Sequence, residues 1–137
     1  MLKALTTIAL VLIMSTDTLI IPVHVQNENG GTKHVLVKNE LGNGVVLYLH
    51  CRSKDDDLGL HVLQNGNYQE WSFRDNVIDT TLFWCSLKWN NQQHSFEIYS
   101  TINDGRRCAS QCLRRIRPDG AYFFFEFEDY WVKEYAW

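Results

Sequence analysis

The sequence predicts an all-β domain of short antiparallel strands, folded as a β-sandwich or a small barrel. Three observations carry that reading. Apolar residues recur with a period of two almost everywhere, the signature of half-buried strands rather than helices. Turn-forming clusters separate the apolar segments at short, regular intervals. Four cysteines, an even set, fall within or beside those segments, where bridges would staple a small sheet.

In chain order, the first segment reads as an address. Lys3 supplies a positive charge, Ala4–Met14 is an apolar run of signal-peptide length, and "STDT" at Ser15–Thr18 breaks it. Residues 1–18 are therefore expected to be a signal peptide, with cleavage between Ser15 and Ile21. The run is too short for a stable bilayer anchor. The remainder, 19–137, is expected to be one domain. No internal repeat, linker or low-complexity tract interrupts it, and 137 residues leave room for one core rather than two.

Strands are expected at His34–Asn39, Leu58–Leu63, Tyr68–Phe73, His94–Tyr99, Ala109–Ile116 and Ala121–Phe127. Two further segments show the alternation most clearly. In "GVVLYLHC", Val45, Leu47, Leu49 and Cys51 share one face, opposite Val46, Tyr48, His50 and Arg52. In "TLFWCSLKW", Phe83, Cys85, Leu87 and Trp89 share one face, opposite Leu82, Trp84, Ser86 and Lys88. Turns are expected at Asn39–Gly44, Ser53–Asp57, Asn65–Gly66, Asn90–Gln92, Asp104–Gly105 and Pro118–Gly120. Outside the leader no segment carries a helical stripe. The tail "EDYWVKEYAW" fits a strand extension, a helical turn or a frayed end.

Composition narrows the function. A net charge of -3 gives no support for neutralising a phosphate backbone, so no nucleic acid partner is expected. Secretion makes Cys51, Cys85, Cys108 and Cys112 two disulfides by default, with three connectivities open. The preferred pairs are Cys51–Cys85, whose residues sit alike on core-facing strands, and Cys108–Cys112, which requires a bulge or loop; crossed pairings remain open. Cys108-x3-Cys112 alone does not make a metal site, and no metal or cofactor is expected. Histidines stand at 24, 34, 50, 61 and 94. His50 and His61 flank the acidic run and could approach one another as an acid–base pair. No nucleophile motif or phosphate loop accompanies them, so no catalytic residue is assigned and the chain is not expected to be an enzyme.

The acidic run itself, Asp55, Asp56 and Asp57, reads first as a turn. Charges crowded after Cys51 cannot follow the strand into a core, and Asp side chains bond turn amides readily. Adjacent carboxylates do not converge on a calcium ion as alternate loop positions do. As a second role, the run is a candidate contact surface. So is the basic strand Arg114, Arg115 and Arg117, where Arg115 and Arg117 share a face. Trp84, alternating away from Cys85, is a candidate for stacking on a sugar.

Five segments in order, "NELGNGVVLYLHCRSKDDDLGLHVL" (Asn39–Leu63), "WSFRDN" (Trp71–Asn76), "TTLFWCSLKW" (Thr80–Trp89), "HSFEIY" (His94–Tyr99) and "RRC…C…IRPDG" (Arg106–Gly120), resemble the plant self-incompatibility S1 family, the S-protein homologues. The resemblance runs from about His34 to Gly120. It implies a small, secreted, disulfide-stabilised antiparallel β-sandwich acting as a signalling ligand. Its partner would be a cell-surface receptor, as for the pistil determinants that arrest incompatible pollen. The protein is expected to be a monomer; an extracellular carbohydrate-binding module is the alternative. Two departures stand out. Arg114 occupies the place of a tryptophan two residues after the last cysteine, where it must snorkel or pair with a carboxylate. The tail is also longer and more aromatic than the family pattern.

Overall fold

A computed structural model describes residues 31–75 and 80–137. The signal-peptide segment, His24 and Asn76 lie outside the described residues.

Among the described residues, nine strands form two sheets. They are β1 (Thr32–Asn39), β2 (Leu47–Ser53), β3 (Asp57–Leu63), β4 (Tyr68–Arg74), β5 (Leu82–Trp89), β6 (Gln92–Ser100), β7 (Gln111–Arg117), β8 (Gly120–Phe125) and β9 (Tyr130–Ala136). One sheet has the order β4-β1-β7-β8-β9, the other β3-β2-β5-β6. A single helical turn, α1 (Thr101–Asp104), follows β6. The fold is thus an all-β sandwich. One pairing departs from the antiparallel expectation: β1 and β7 run parallel. The chain builds the whole second sheet between them and returns in its original direction.

The core is the inner face of both sheets. Val35 and Val37 of β1, Leu47, Leu49 and Cys51 of β2, Phe83, Cys85, Leu87 and Trp89 of β5, and Cys112 and Ile116 of β7 are all buried. These are the alternate positions that the period of two assigns to one face. The tail is β9, paired with β8, and its Tyr135 and Trp137 pack against the core.

Local chemistry sets the strand ends. Asn39, fully buried, donates from Nδ2 to the carbonyls of Val45 and Leu63, and its Oδ1 accepts from the Leu41 amide, all at 2.9 Å. One side chain thereby holds the crossing from β1 to β2 against the end of β3. Strand β7 starts at Gln111 rather than Ala109, and the amides of Ala109, Ser110 and Gln111 all donate to the Glu126 carboxylate at this strand end. Strand β8 ends at Phe125 rather than Phe127, where the chain turns through Asp129 at φ 57°. Strand β8 opens at Gly120, where a Cβ would collide with the Tyr135 carbonyl.

The bridges join Cys51 to Cys85 and Cys108 to Cys112. Cys51 and Cys85 are direct partners across β2 and β5, so this bridge lies within one sheet. The other ties the loop after α1 to β7.

Candidate functional site

The acidic run divides between a turn and a strand. The Ser53 amide donates to the Asp56 carbonyl at 2.7 Å, and the Asp56 amide donates to Ser53 Oγ at 3.1 Å, closing the turn. Asp57 already belongs to β3, one residue earlier than the sequence suggests. Its carboxylate accepts from the Gly59 amide at 2.9 Å and pairs with His50 Nε2 at 2.5 Å. The Gly59 amide first, then His50, hold its pKa below the usual carboxylate range. Gly59 itself sits at φ +78°, a conformation that L side chains rarely adopt. Asp57 is therefore a brace for the turn, while Asp55 and Asp56 are exposed at its tip.

The two histidines do not meet. His50 lies opposite Leu60, and His61 lies opposite Leu49, which places them on opposite faces of the sheet. His61 bonds the Leu58 carbonyl instead. Trp84 is half-buried on the outer face, between Arg52 and Glu97 in the strand register. With Lys54, Asp55, Asp56 and Arg74 it lines a groove of about 580 Å³.

The basic cluster is split by the alternation of β7. Arg114 is fully buried, so it is not available to a receptor; that candidate contact is corrected. Its Nη2 lies 3.2 Å from Asp104 Oδ1, Nε donates to the Ile98 carbonyl at 2.9 Å, and Nη1 donates to the Leu113 carbonyl. The guanidinium also stacks over Phe123 at 3.9 Å. It pairs rather than snorkels. Burial lowers the Arg114 pKa to about 10, so it remains charged at neutral pH, and burial raises that of Asp104. Arg115 and Arg117 face outward on the five-stranded sheet, at 3.2 and 3.0 Å from the two oxygens of Glu40. The acidic turn and this basic pair thus belong to different sheets.

A further surface lies on the outer face of the four-stranded sheet. Tyr48 is 45% exposed, Leu60 61% and Val62 52%. Tyr48 is the cross-strand partner of Val62, and Leu60 is that of His50, so they form one patch. Arg52 and Lys88 lie on the same face, and β3 is an edge strand. Reading β3 only as a strand missed this patch. The signal was present: in "DLGLHVL" the face opposite His61 and Leu63 is also apolar.

Residues 34–137 match the family described as plant self-incompatibility protein S1. The chain belongs to this family. S-protein homolog 3 of Arabidopsis thaliana is 41% identical over 85 residues, covering 62% of this chain and 57% of that protein. Self-incompatibility protein S1 of Papaver rhoeas is 39% identical over 100 residues, covering 71% of each. S-protein homolog 2 of Arabidopsis thaliana is 42% identical, with 56% of its length covered, so the match spans little more than half of the two Arabidopsis relatives. A solved SPH (Self-Incompatibility Protein Homologue) protein superposes with TM-score 0.55 at 18% identity, over 79% of this chain and 91% of that one. It is described as one of a widespread family of small, highly stable, secreted plant proteins.

This member of the plant self-incompatibility S1 family is accordingly a disulfide-bonded β-sandwich. Among the described residues no group of three or more His, Cys, Asp or Glu side chains is placed to hold a metal ion. Among them, too, no helix is long and apolar enough to cross a membrane.

Proposed function

We propose that this S1-family protein is an extracellular ligand recognised by a cell-surface receptor, acting by surface recognition as a monomer rather than as an enzyme. The observation that carries the reading is the patch of Tyr48, Leu60 and Val62. The inner face of that sheet already forms the core, yet its outer face keeps three large apolar side chains about half exposed. Contiguous apolar surface rimmed by polar groups marks interaction sites. Tyr48 supplies an aromatic anchor, and Arg52 and Lys88 supply a cationic rim. Asp55 and Asp56 stand at the turn beyond the patch, on the same sheet, and extend the contact with opposite charge. The name self-incompatibility protein S1, carried by the poppy relative, supports a role in cell–cell signalling.

The test is saturable binding of labelled, disulfide-intact protein to plant cell surfaces, with and without protease treatment of the cells. Leu60→Ser with Val62→Thr should weaken protease-sensitive binding at least tenfold while the thermal melt is unchanged. Charge reversal at Asp55 and Asp56 should weaken it less. Binding that survives protease treatment, or that ignores the patch substitutions, would refute the receptor reading.

A further inference from the structure

The outer face of the five-stranded sheet carries a second arrangement, independent of the patch. Strand register aligns one residue from each strand in a single row: Tyr68, Lys38, Arg115, Tyr122 and Lys133. With strands about 4.8 Å apart, the row crosses roughly 19 Å. Tyr68 is 54% exposed, and the Lys38, Arg115 and Lys133 side chains are 37%, 34% and 40% exposed, so the row is open to solvent. Arg117 flanks it, with its guanidinium 4.8 Å over the Tyr122 ring, while that of Arg115 lies 4.1 Å over Trp131. Between Tyr68 and Trp131 lies a shallow depression of about 260 Å³, floored by Leu36 and Leu113 and reached by Lys38 and Arg115.

The charges do not cancel. Glu40 is met by three cations, Lys38 at 3.7 Å, Arg115 and Arg117, and Lys133 is paired with Asp119 at 2.9 Å. Four cations thus face two carboxylates on a protein whose net charge is -3. Glu70, paired with His34, stands one row away. Both arginines meet Glu40 through Nε, and each guanidinium carries four further N–H donors on its Nη atoms. Glu40 also shows in place that these side chains converge on a carboxylate.

From this row we infer a binding site for an acidic polysaccharide, a polymer of uronic acid residues. Each residue of such a polymer brings a carboxylate and a flat C–H face. Two aromatic rings and three cations are interspersed along the row in a way that meets both at once, and repeated contacts along one chain reinforce each other. Tyr122 and Trp131 lie beneath guanidinium groups and Tyr68 is open to stack on a sugar, an arrangement that favours a stacked sugar over insertion into a membrane. Such a site would retain the protein in an acidic extracellular matrix while the opposite sheet stays free.

Titration with oligogalacturonate long enough to cross the row tests this. Binding is expected at low ionic strength, weakening with salt, with little affinity for the fully methyl-esterified polymer or a neutral glucan. Arg115→Gln and the more exposed Lys133→Gln should each weaken it about tenfold, the scale of one charge-assisted contact. Leu60→Ser should leave it unchanged, which separates this site from the receptor patch. Absence of binding would overturn the assignment, as would binding indifferent to Lys133→Gln in a protein that melts normally. Equal affinity for polyglutamate, or for vesicles containing phosphatidylserine, would overturn it in favour of plain charge or a membrane.

Discussion

Arg114→Met is the most informative single substitution. Arg114 is 0% exposed and Asp104 3%, with 3.2 Å between charged atoms. At an effective dielectric of about 20, attraction at that distance is about 5 kcal/mol. Desolvation of both ions opposes it, which is why burial shifts both pKa values toward the neutral forms. The intact pair is therefore worth little net, but breaking it leaves a buried carboxylate with the more distant Arg107 guanidinium, at 4.0 Å, as its counter-ion, at about 3–5 kcal/mol. Methionine fills much of the volume, so the expected loss at neutral pH is near the lower end. The residual cost should depend on pH. Asp104 keeps its proton to higher pH in the fold than its ordinary 3.8. Its favourable contribution is thus complete below the unfolded value and lost as pH rises through the folded one. Without Arg114, which lowers that pKa, the window widens, and the variant should recover relative to the parent as pH falls. Adding Asp104→Asn removes the stranded charge and keeps an acceptor for the Ser100 amide, now 2.8 Å from Oδ2. The double variant should lose about 2 kcal/mol less than the sum of the singles. Urea denaturation of the oxidised proteins across pH measures all of this. A loss under about 1 kcal/mol for Arg114→Met, set against the 3–5 expected, or strict additivity, would refute the reasoning.

Three other outcomes follow from the same structure. Removing the Cys51–Cys85 bridge, which spans 34 residues, should cost about 4 kcal/mol in the chain-entropy model, against about 2 kcal/mol for Cys108–Cys112, which spans 4; urea midpoints of the paired Cys→Ala variants check the order. Asn39→Ala deletes three hydrogen bonds at a buried crossing, two of whose carbonyls and one amide then lack this partner, and should destabilise by about 3 kcal/mol by the same assay. Asp57 and Asp119 both have lowered pKa values, Asp57 chiefly through the Gly59 amide and Asp119 chiefly through the Tyr122 hydroxyl. Their contributions are present above the ordinary 3.8 and disappear as pH falls through the folded values; carboxyl NMR titration should find both below 3.8.

Most strands were legible because one face of each is buried, and burial imposes a period of two that a sequence displays directly. Strands β2 and β5 show it residue by residue. The tail was not legible, since β9 pairs with β8 through a register shift at Ala121/Tyr122 and buries its residues only partly. Arg114 was legible in position but not in fate. Alternation put it on the face of Cys112 and Ile116, while its charge argued for the surface. Its partner Asp104 lay in a stretch read as a turn, and only the one-turn helix α1 carries that carboxylate inward. Interaction surfaces were the least legible, because they depend on which strands become neighbours. Lys38, Arg115 and Lys133 are far apart in sequence, and the parallel pairing of β1 with β7 is what sets the first two side by side.

That pairing also explains how one small sandwich can offer two unlike faces. Both sheets spend their inner faces on a common core, so each outer face is free to carry its own chemistry. On the four-stranded sheet, β3 at the edge supplies Leu60 and Val62 beside Tyr48, and the neighbouring turn is held by Asp57, His50, Ser53 and the Asp56 backbone, with the Asp55 and Asp56 side chains exposed. On the five-stranded sheet, β7 in the centre places Arg114 inward to be neutralised by Asp104 and Arg115 outward beside Lys38. One strand thus divides its guanidinium groups between a structural task and an exposed one, according to parity alone. Substitutions at even positions of β7 should register in stability, and those at Arg115 and Arg117 in binding.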